Sequence, residues 1–353
     1  MTKTGNMKIL KTVREESGQK VRDISAHTGI DASLISRYES GARMPAEDQL
    51  ALLAEAYGID ARQLRVEWLK ARIMRQLAYE PLAGEALSLV MDELADYHKK
   101  QKKAQPKNVR KLCKEADALR NELRAIRQKD SRRVTEALEM EYIYESNRIE
   151  GNTLTLHETD LVVNQGLTIG GKSMREHLEA INHREAIDFV RELATHKAAV
   201  TERDLLGIHN LILRGIDPHN AGRYRNVQVM ISGSRHVPPA PWKVADEMAD
   251  FFKWYRQQAP AMHPLVLAAE LHLRLVGIHP FTDGNGRTSR LLMNLVLLQH
   301  GYVIANIKGD NNTRQAYYNA LEEAHTQGNR EGFIAFVGQV AIACLQRYIT
   351  ILS

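Results

Sequence analysis

The sequence has little of what would mark a secreted or membrane-embedded chain. Two cysteines in 353 residues, Cys113 and Cys344, are too few for a disulfide framework and too far apart for a thiolate metal cluster. No run approaches the roughly 18 uninterrupted apolar residues of a membrane-spanning helix, and the opening MTKTGNMKIL has no signal-peptide core. A soluble, cytoplasmic protein with no membrane partner is therefore expected. A net charge of +5 and a pI near 9.0 are compatible with a nucleic-acid-binding part without establishing one. The length suits two domains.

The densest chemistry lies in twelve residues from His279 to Arg290, HPFTDGNGRTSR. Apolar segments of helical length flank them, Pro264 to Ile278 and Arg287 to His300, so the motif reads as a loop between two buried helices. Gly284 and Gly286 allow a turn with exposed N–H groups where the second helix begins, a nest for anions and above all for a triphosphate. Arg287 and Arg290, three apart, share a helix face that can reach phosphate oxygens. Asp283 offers a hard oxygen ligand for Mg2+. His279 has a pKa suited to taking a proton from a hydroxyl at neutral pH. Each residue alone has a plain structural reading as turn former or hydrogen-bonder. All of them together between two apolar helices do not.

HPFTDGNGRTSR resembles the signature of the Fic family, H-P-F-x-D/E-G-N-G-R-x-x-R, with every specified position filled. The resemblance implies an all-helical fold and transfer of AMP from ATP to a protein hydroxyl. It covers about residues 134 to 349 and is nearest to the animal adenylyltransferases. Gly286 argues against the kinase-like toxins of the superfamily, which carry Lys there.

Residues 7 to 69 form a first unit. Short helices end at Gly18, Gly29 and Gly41, and Asp31 precedes the helix that carries Leu34, Ile35 and Tyr38. This helix-turn-helix pattern is similar to the Xre family, whose geometry implies DNA contacts from Ser33, Ser36 and Arg37, with Arg43 near phosphate. Lys20-Val21 departs from the Ser-Gln common in that family and removes a usual contact. A domain kept for dimerisation or protein contact is the alternative.

Residues 70 to 133 read as a basic helical linker. Lys99 to Arg133 holds 14 Lys/Arg against 4 Asp/Glu, a net of 14 − 4 = +10. It reads either as a solvated connecting helix or as one that tracks the DNA backbone.

The segment from 134 to 150 ends in SNRIEG, and Ser146 and Glu150 lie four apart on one helix face. SNRIEG matches the inhibitory motif of Fic proteins, S/T-x-x-x-E-G/N. The resemblance implies that Glu150 pairs with Arg290 and obstructs the γ-phosphate. Residues 224 to 238 alternate and turn at Gly233-Ser234, which predicts a β-hairpin like the Fic flap, holding the target by strand addition. On the same resemblance Gly233, Ser234, Arg235 and His236 join the nucleotide contacts, as do Tyr317 and Tyr318 at the adenine pocket, with core packing a competing role for one of the pair. His325 stands where relatives often have Asn.

The expected architecture is thus all-α: a helix-turn-helix bundle (1–69), a basic linker (70–133) and a helical catalytic core with one hairpin (134–353). The implied mechanism has His279 deprotonate a Ser, Thr or Tyr hydroxyl and Asp283 hold Mg2+. Asn285 and the glycine amides would stabilise charge on the α-phosphate, while Arg287 and Arg290 orient the pyrophosphate. Two alternatives stand beside it: removal of AMP with Glu150 aligning water, and a DNA-binding regulator whose core senses nucleotide or modifies itself. ATP, a target protein or the chain itself, and DNA are the expected partners, and relatives of both domains make a homodimer plausible.

Overall fold

The structure, a computed structural model, describes residues 8–78, 80–101, 106–129 and 131–353. The chain divides into two compact units, residues 1–103 and 104–353.

The first unit comprises α1 (Lys8–Glu16), α2 (Val21–Thr28), α3 (Ala32–Glu39), α4 (Leu50–Tyr57), α5 (Ala61–Leu77) and α6 (Ala83–Gln101). Asp31 caps α3 by accepting from the Ser33 N–H at 2.9 Å, and Gly29 ends α2 in the left-handed region. Leu10, Ile24, Ile35, Leu53 and Leu64 are fully buried. One carboxylate, Glu39, lies among them, satisfied by Arg14 Nε at 2.6 Å and the Tyr57 hydroxyl at 2.8 Å. Leu64, Trp68 and Ala71 of α5 belong to this core, so the unit runs past the boundary expected at residue 69.

The second unit comprises α7 (Lys107–Ile126), α8 (Arg132–Ile149), α9 (Leu156–Gln165), α10 (Met174–His196), α11 (Glu202–Leu213), α12 (Val244–Gln258), α13 (Pro264–Ile278), α14 (Asn285–Gln299), α15 (Asn311–Thr326) and α16 (Arg330–Leu352). Helix α13 is apolar nearly all round and is buried from Leu265 to Leu273 without a break. It pairs with α14, and α10 and α16 pack around them.

Two expectations are corrected. Part of the stretch expected as a linker belongs to the second core: α7 buries Val109, Leu112, Cys113, Ala116 and Leu123 and packs along α16. Burial at about 1.5–3 kcal/mol for each large apolar side chain makes α7 part of the core rather than a solvated connector. Its charges occupy the remaining face. Residues 224–238 form no hairpin, and no strand occurs among the described residues. Pro238 and Pro239 have no N–H to give to a ladder. Side chains bridge the two arms instead, with Arg225 donating to the Val227 carbonyl at 3.0 Å and the Pro239 carbonyl at 2.6 Å, and Gln228 to the Pro238 carbonyl at 3.3 Å.

Candidate active site

The link between α13 and α14 is held in an open turn. His279 ends α13 with φ of 51°, a conformation uncommon for a residue with a Cβ. Its Nδ1 lies 3.2 Å from the Val276 carbonyl, so hydrogen-bond logic puts the proton on Nδ1 and leaves Nε2 free to accept one. Burial pushes the imidazole pKa below its usual value, which keeps it neutral and basic at pH 7.

Three buried residues fix the backbone of this turn. Asn285 accepts from the Phe281 N–H at 3.0 Å and donates to the Phe281 carbonyl at 2.9 Å. Asn285 is 3% exposed and braces the loop, a positioning role for this amide. His209 of α11 stacks on Phe281 with ring centroids 3.6 Å apart. Its Nδ1 accepts from the Gly222 N–H at 3.0 Å, and its Nε2 donates to the Asp283 carbonyl at 3.0 Å. Arg225 donates through Nε to the His279 carbonyl at 2.8 Å and through its backbone N–H to the Pro280 carbonyl at 2.9 Å. The sequence reading missed both His209 and Arg225. His209 did carry a signal, as a polar residue on the apolar face made by Leu205, Ile208 and Ile212. Arg225 carried none.

Asp283 lies half-exposed at the mouth of the turn. Burial would raise its pKa, but Arg287, the Gly284 N–H and Arg175 outweigh that and hold the carboxyl below its usual range. Arg175 of α10 reaches it at 2.5 Å and Arg287 at 3.4 Å. Arg287, 2% exposed, also lies 3.3 Å from Glu179, while its Nε has no hydrogen-bond partner. Among the described residues no cluster of three His, Cys, Asp or Glu could hold a metal by itself. A single ionised carboxylate nevertheless fits Mg2+, which ordinarily takes one or two protein carboxylates with phosphates and water completing its shell.

Helix α8 ends over the start of α14. Arg290, 1% exposed, donates from Nη2 to Glu150 Oε1 at 2.7 Å and to the Ser146 carbonyl at 2.9 Å, and from Nε to Ser146 Oγ at 3.0 Å. Burial disfavours the guanidinium charge, but Glu150 outweighs it and raises the pKa. Glu150 also crowds the first turn of α14: a Cβ built on Gly286 would sit 2.5 Å from Glu150 Oε1. The carboxylate therefore occupies the helix N-terminus expected to receive phosphate. The structure places Glu150 against Arg290, the pair that the resemblance implies, and adds two bonds from Arg290 to Ser146 that the sequence did not disclose.

The tyrosines separate. Tyr317, 1% exposed, packs with His272, Phe333 and Phe336, and its hydroxyl lies 3.0 Å from His272 Nε2, so the core-packing role belongs to this member of the pair. Tyr318 is 39% exposed and donates to the Ile149 carbonyl at 3.3 Å, beside Glu150. The turn at 233–236 is tied to α15: Ser234 Oγ donates to Glu322, and the Arg235 N–H reaches Glu322 Oε1 at 3.1 Å. His236 stacks on His325 at 4.6 Å and donates to the Gly277 carbonyl at 2.8 Å, next to the turn between α13 and α14. Gly233 contributes the left-handed turn position, φ 76°. In the first unit, Ser33, Ser36 and Arg37 are exposed along one face of α3, and Arg43 is exposed just beyond it.

Residues 199–297 match the Fic/DOC family, and residues 9–68 match a helix-turn-helix domain family. The chain is 40% identical over 211 residues to the protein adenylyltransferase Fic of Nematostella vectensis, covering 59% of this chain and 48% of that one. It is 37% identical over 246 residues to protein adenylyltransferase fic-1 of Caenorhabditis briggsae, covering 68% and 47%. The chain thus spans about half the length of these curated relatives. A solved structure of a variant of Fic-1 from C. elegans superposes with a TM-score of 0.61 at 30% identity, covering 91% of this chain and 98% of that one.

Proposed function

The chain belongs to the Fic/DOC family, and from that membership we propose that it transfers AMP from ATP to a hydroxyl of a protein, itself included, and rests in a state braked by Glu150. The observation that carries this reading is the neutral imidazole of His279, its Nε2 unengaged, on a turn that opens directly into the N-terminus of α14. A Ser, Thr or Tyr oxygen attacks the α-phosphorus as His279 Nε2 takes its proton. The new O–P bond forms as the bond to the β-phosphate oxygen breaks, and pyrophosphate leaves. The first-turn N–H groups of α14 and the guanidinium groups of Arg287 and Arg290 stabilise the developing negative charge. Asp283 would hold Mg2+, which when bound neutralises phosphate charge. Positioning and electrostatics carry most of the work in such transfers, and Asn285, His209 and Arg225 supply the positioning.

Glu150 competes for the same ground. With its carboxylate against Gly286 and bound to Arg290, the γ-phosphate loses both a counter-charge and room. The segment 224–238 leaves Met230 and Val237 exposed at 90% and 75%, with Trp242 just beyond it at 79%, which supports target docking along that surface. The exposed row of Ser33, Ser36 and Arg37 supports DNA contact by the first unit. The test is the position of label: radioactivity from α-labelled ATP enters protein, that from γ-labelled ATP does not, and His279→Ala incorporates neither. Incorporation from the γ-position would instead indicate phosphoryl transfer and overturn the reading.

A further inference from the structure

Part of the charge of α7, that of Arg120 and Arg124, lines a concave surface. Together with the C-terminal ends of α10 and α14 it forms a groove of about 740 Å³ lined by Arg120, Arg124, Arg127, Arg191, Lys197 and His300. No carboxylate lines this groove. Two of the cations have acidic neighbours, Arg120 with Asp117 at 3.1 Å and Arg191 with Glu139 at 3.0 Å. Arg120 also lies over the Tyr302 ring, 4.9 Å from its centroid. Among the described residues, Arg124, Arg127 and Lys197 have no ion-pair partner, and all three are exposed.

Lys197 adds a second observation. It follows α10 with φ of 50°, at a position that favours glycine because a Cβ is strained there. The dipole at the end of α10 accounts for one cation at that place. It does not account for Arg120, Arg124 and Arg127, brought there by α7 and the turn that follows it.

We propose that this groove binds the phosphate backbone of duplex DNA. Three unpaired cations with no anion in the wall make a surface that a polyanion completes, by the counterion release that dominates protein–DNA affinity. DNA is favoured over other polyanions because the same chain carries a helix-turn-helix unit, and the proposal rests in that respect on the DNA-binding reading of that unit. Backbone contacts of this kind supply affinity without sequence preference. Gln299 lies thirteen steps along α14 from Gly286, which at about 1.5 Å per step puts the groove roughly 20 Å from the phosphate nest. DNA in the groove therefore leaves the catalytic turn free.

The test compares the full chain with Arg124→Glu/Lys197→Glu and with Arg37→Glu, measuring duplex binding from about 50 to 200 mM salt alongside self-labelling by ATP and thermal unfolding. Each backbone contact contributes about 0.9 to the slope of log K against log salt. The double variant is expected to flatten that slope by about 2, to keep any sequence preference, and to label and unfold like the parent. Arg37→Glu is expected to lose sequence preference and keep the groove's share of the slope. A parental slope in the double variant overturns the groove and leaves the helix-turn-helix reading standing. A flattened slope in the double variant with no effect of Arg37→Glu supports the groove and overturns the other. Absence of duplex binding, or tighter charge-dependent binding of RNA or an acidic peptide through the same residues, overturns the groove proposal.

Discussion

Glu150 Oε1 accepts a hydrogen bond from Arg290 Nη2 at 2.7 Å across 140 residues of chain. Arg290 is buried and Glu150 is one-third exposed, so the pair sits at the edge of the interior with its acidic member accessible. A fixed cation with a partner that can leave is suited to a switch. On the proposed reading, withdrawal of Glu150 leaves Arg290 its two bonds to Ser146, which hold it in place for phosphate.

That arrangement makes Ser146 a structural support of the switch. Ser146→Ala removes the acceptor of Arg290 Nε at 3.0 Å and leaves a buried charged donor short of one partner. Loss of about 1–3 kcal/mol of stability is expected in urea unfolding. An unchanged midpoint would show that Arg290 finds another acceptor.

The depressed pKa of His279 sets the acid limb of the reaction. Burial holds the folded imidazole below the ordinary histidine value of about 6.5, so it stays a competent base at slightly acidic pH and loses that capacity only as pH falls through the lowered value. The rate of labelling by a Glu150→Gly protein, measured from pH 5 to 8, is expected to show its acidic midpoint below 6.5. A midpoint above 7 would contradict burial as the dominant influence.

His209 ties acid sensitivity to the catalytic turn. Burial lowers its pKa to about 4 from 6.5, so between those values the unfolded chain binds a proton that the folded chain excludes. Stability is therefore full above about pH 6.5 and falls as pH drops toward 4, by up to about 3 kcal/mol from this residue. His209→Phe keeps the stack on Phe281 but strands the Gly222 N–H and the Asp283 carbonyl. It is expected to be about 1–3 kcal/mol less stable at pH 7.5, with a shallower loss between pH 7.5 and 5. An equal pH dependence in parent and variant would remove His209 as its source.

Arg175 competes with any cation for Asp283. Both side chains are about half exposed, so their pairing is worth only about 0.2–1 kcal/mol. Arg175→Ala is accordingly expected to lower the Mg2+ concentration giving half-maximal labelling by about 1.4- to five-fold, without changing the labelling rate at saturating metal. A higher metal requirement would mean that Arg175 holds the nucleotide instead.

Sequence legibility followed how local the determining interaction was. The catalytic turn could be read because its glycines, His279, Asp283 and both arginines lie within twelve residues between two apolar helices. Glu150 with Ser146 could be read from a second local motif, although their meeting with Arg290 spans the chain. The hairpin was misread because alternation in Val227, Val229 and Ile231 says nothing about partners, and prolines at 238 and 239 remove donors from the opposing arm. Helix α7 was misread because its charge outweighed its apolar stripe, whose burial depends on α16, more than 200 residues away. Tyr317 and Tyr318 are adjacent in sequence, yet a helix turns neighbours by about 100°, so one enters the core and the other the surface. The roles of His209 and Arg225 depend on contacts with a turn 54 or more residues distant, which neither residue type announces.

The most direct test of the central claim is incorporation from α-labelled ATP by the parent, Glu150→Gly and Glu150→Gly/His279→Ala, each alone and in cell extract. The account predicts weak labelling by the parent, a rise of at least about ten-fold in Glu150→Gly, the equivalent of about 1.4 kcal/mol of relieved inhibition, and none in the double variant. Equal labelling by the parent and Glu150→Gly would contradict the brake, and labelling that survives without His279 would contradict the assigned base.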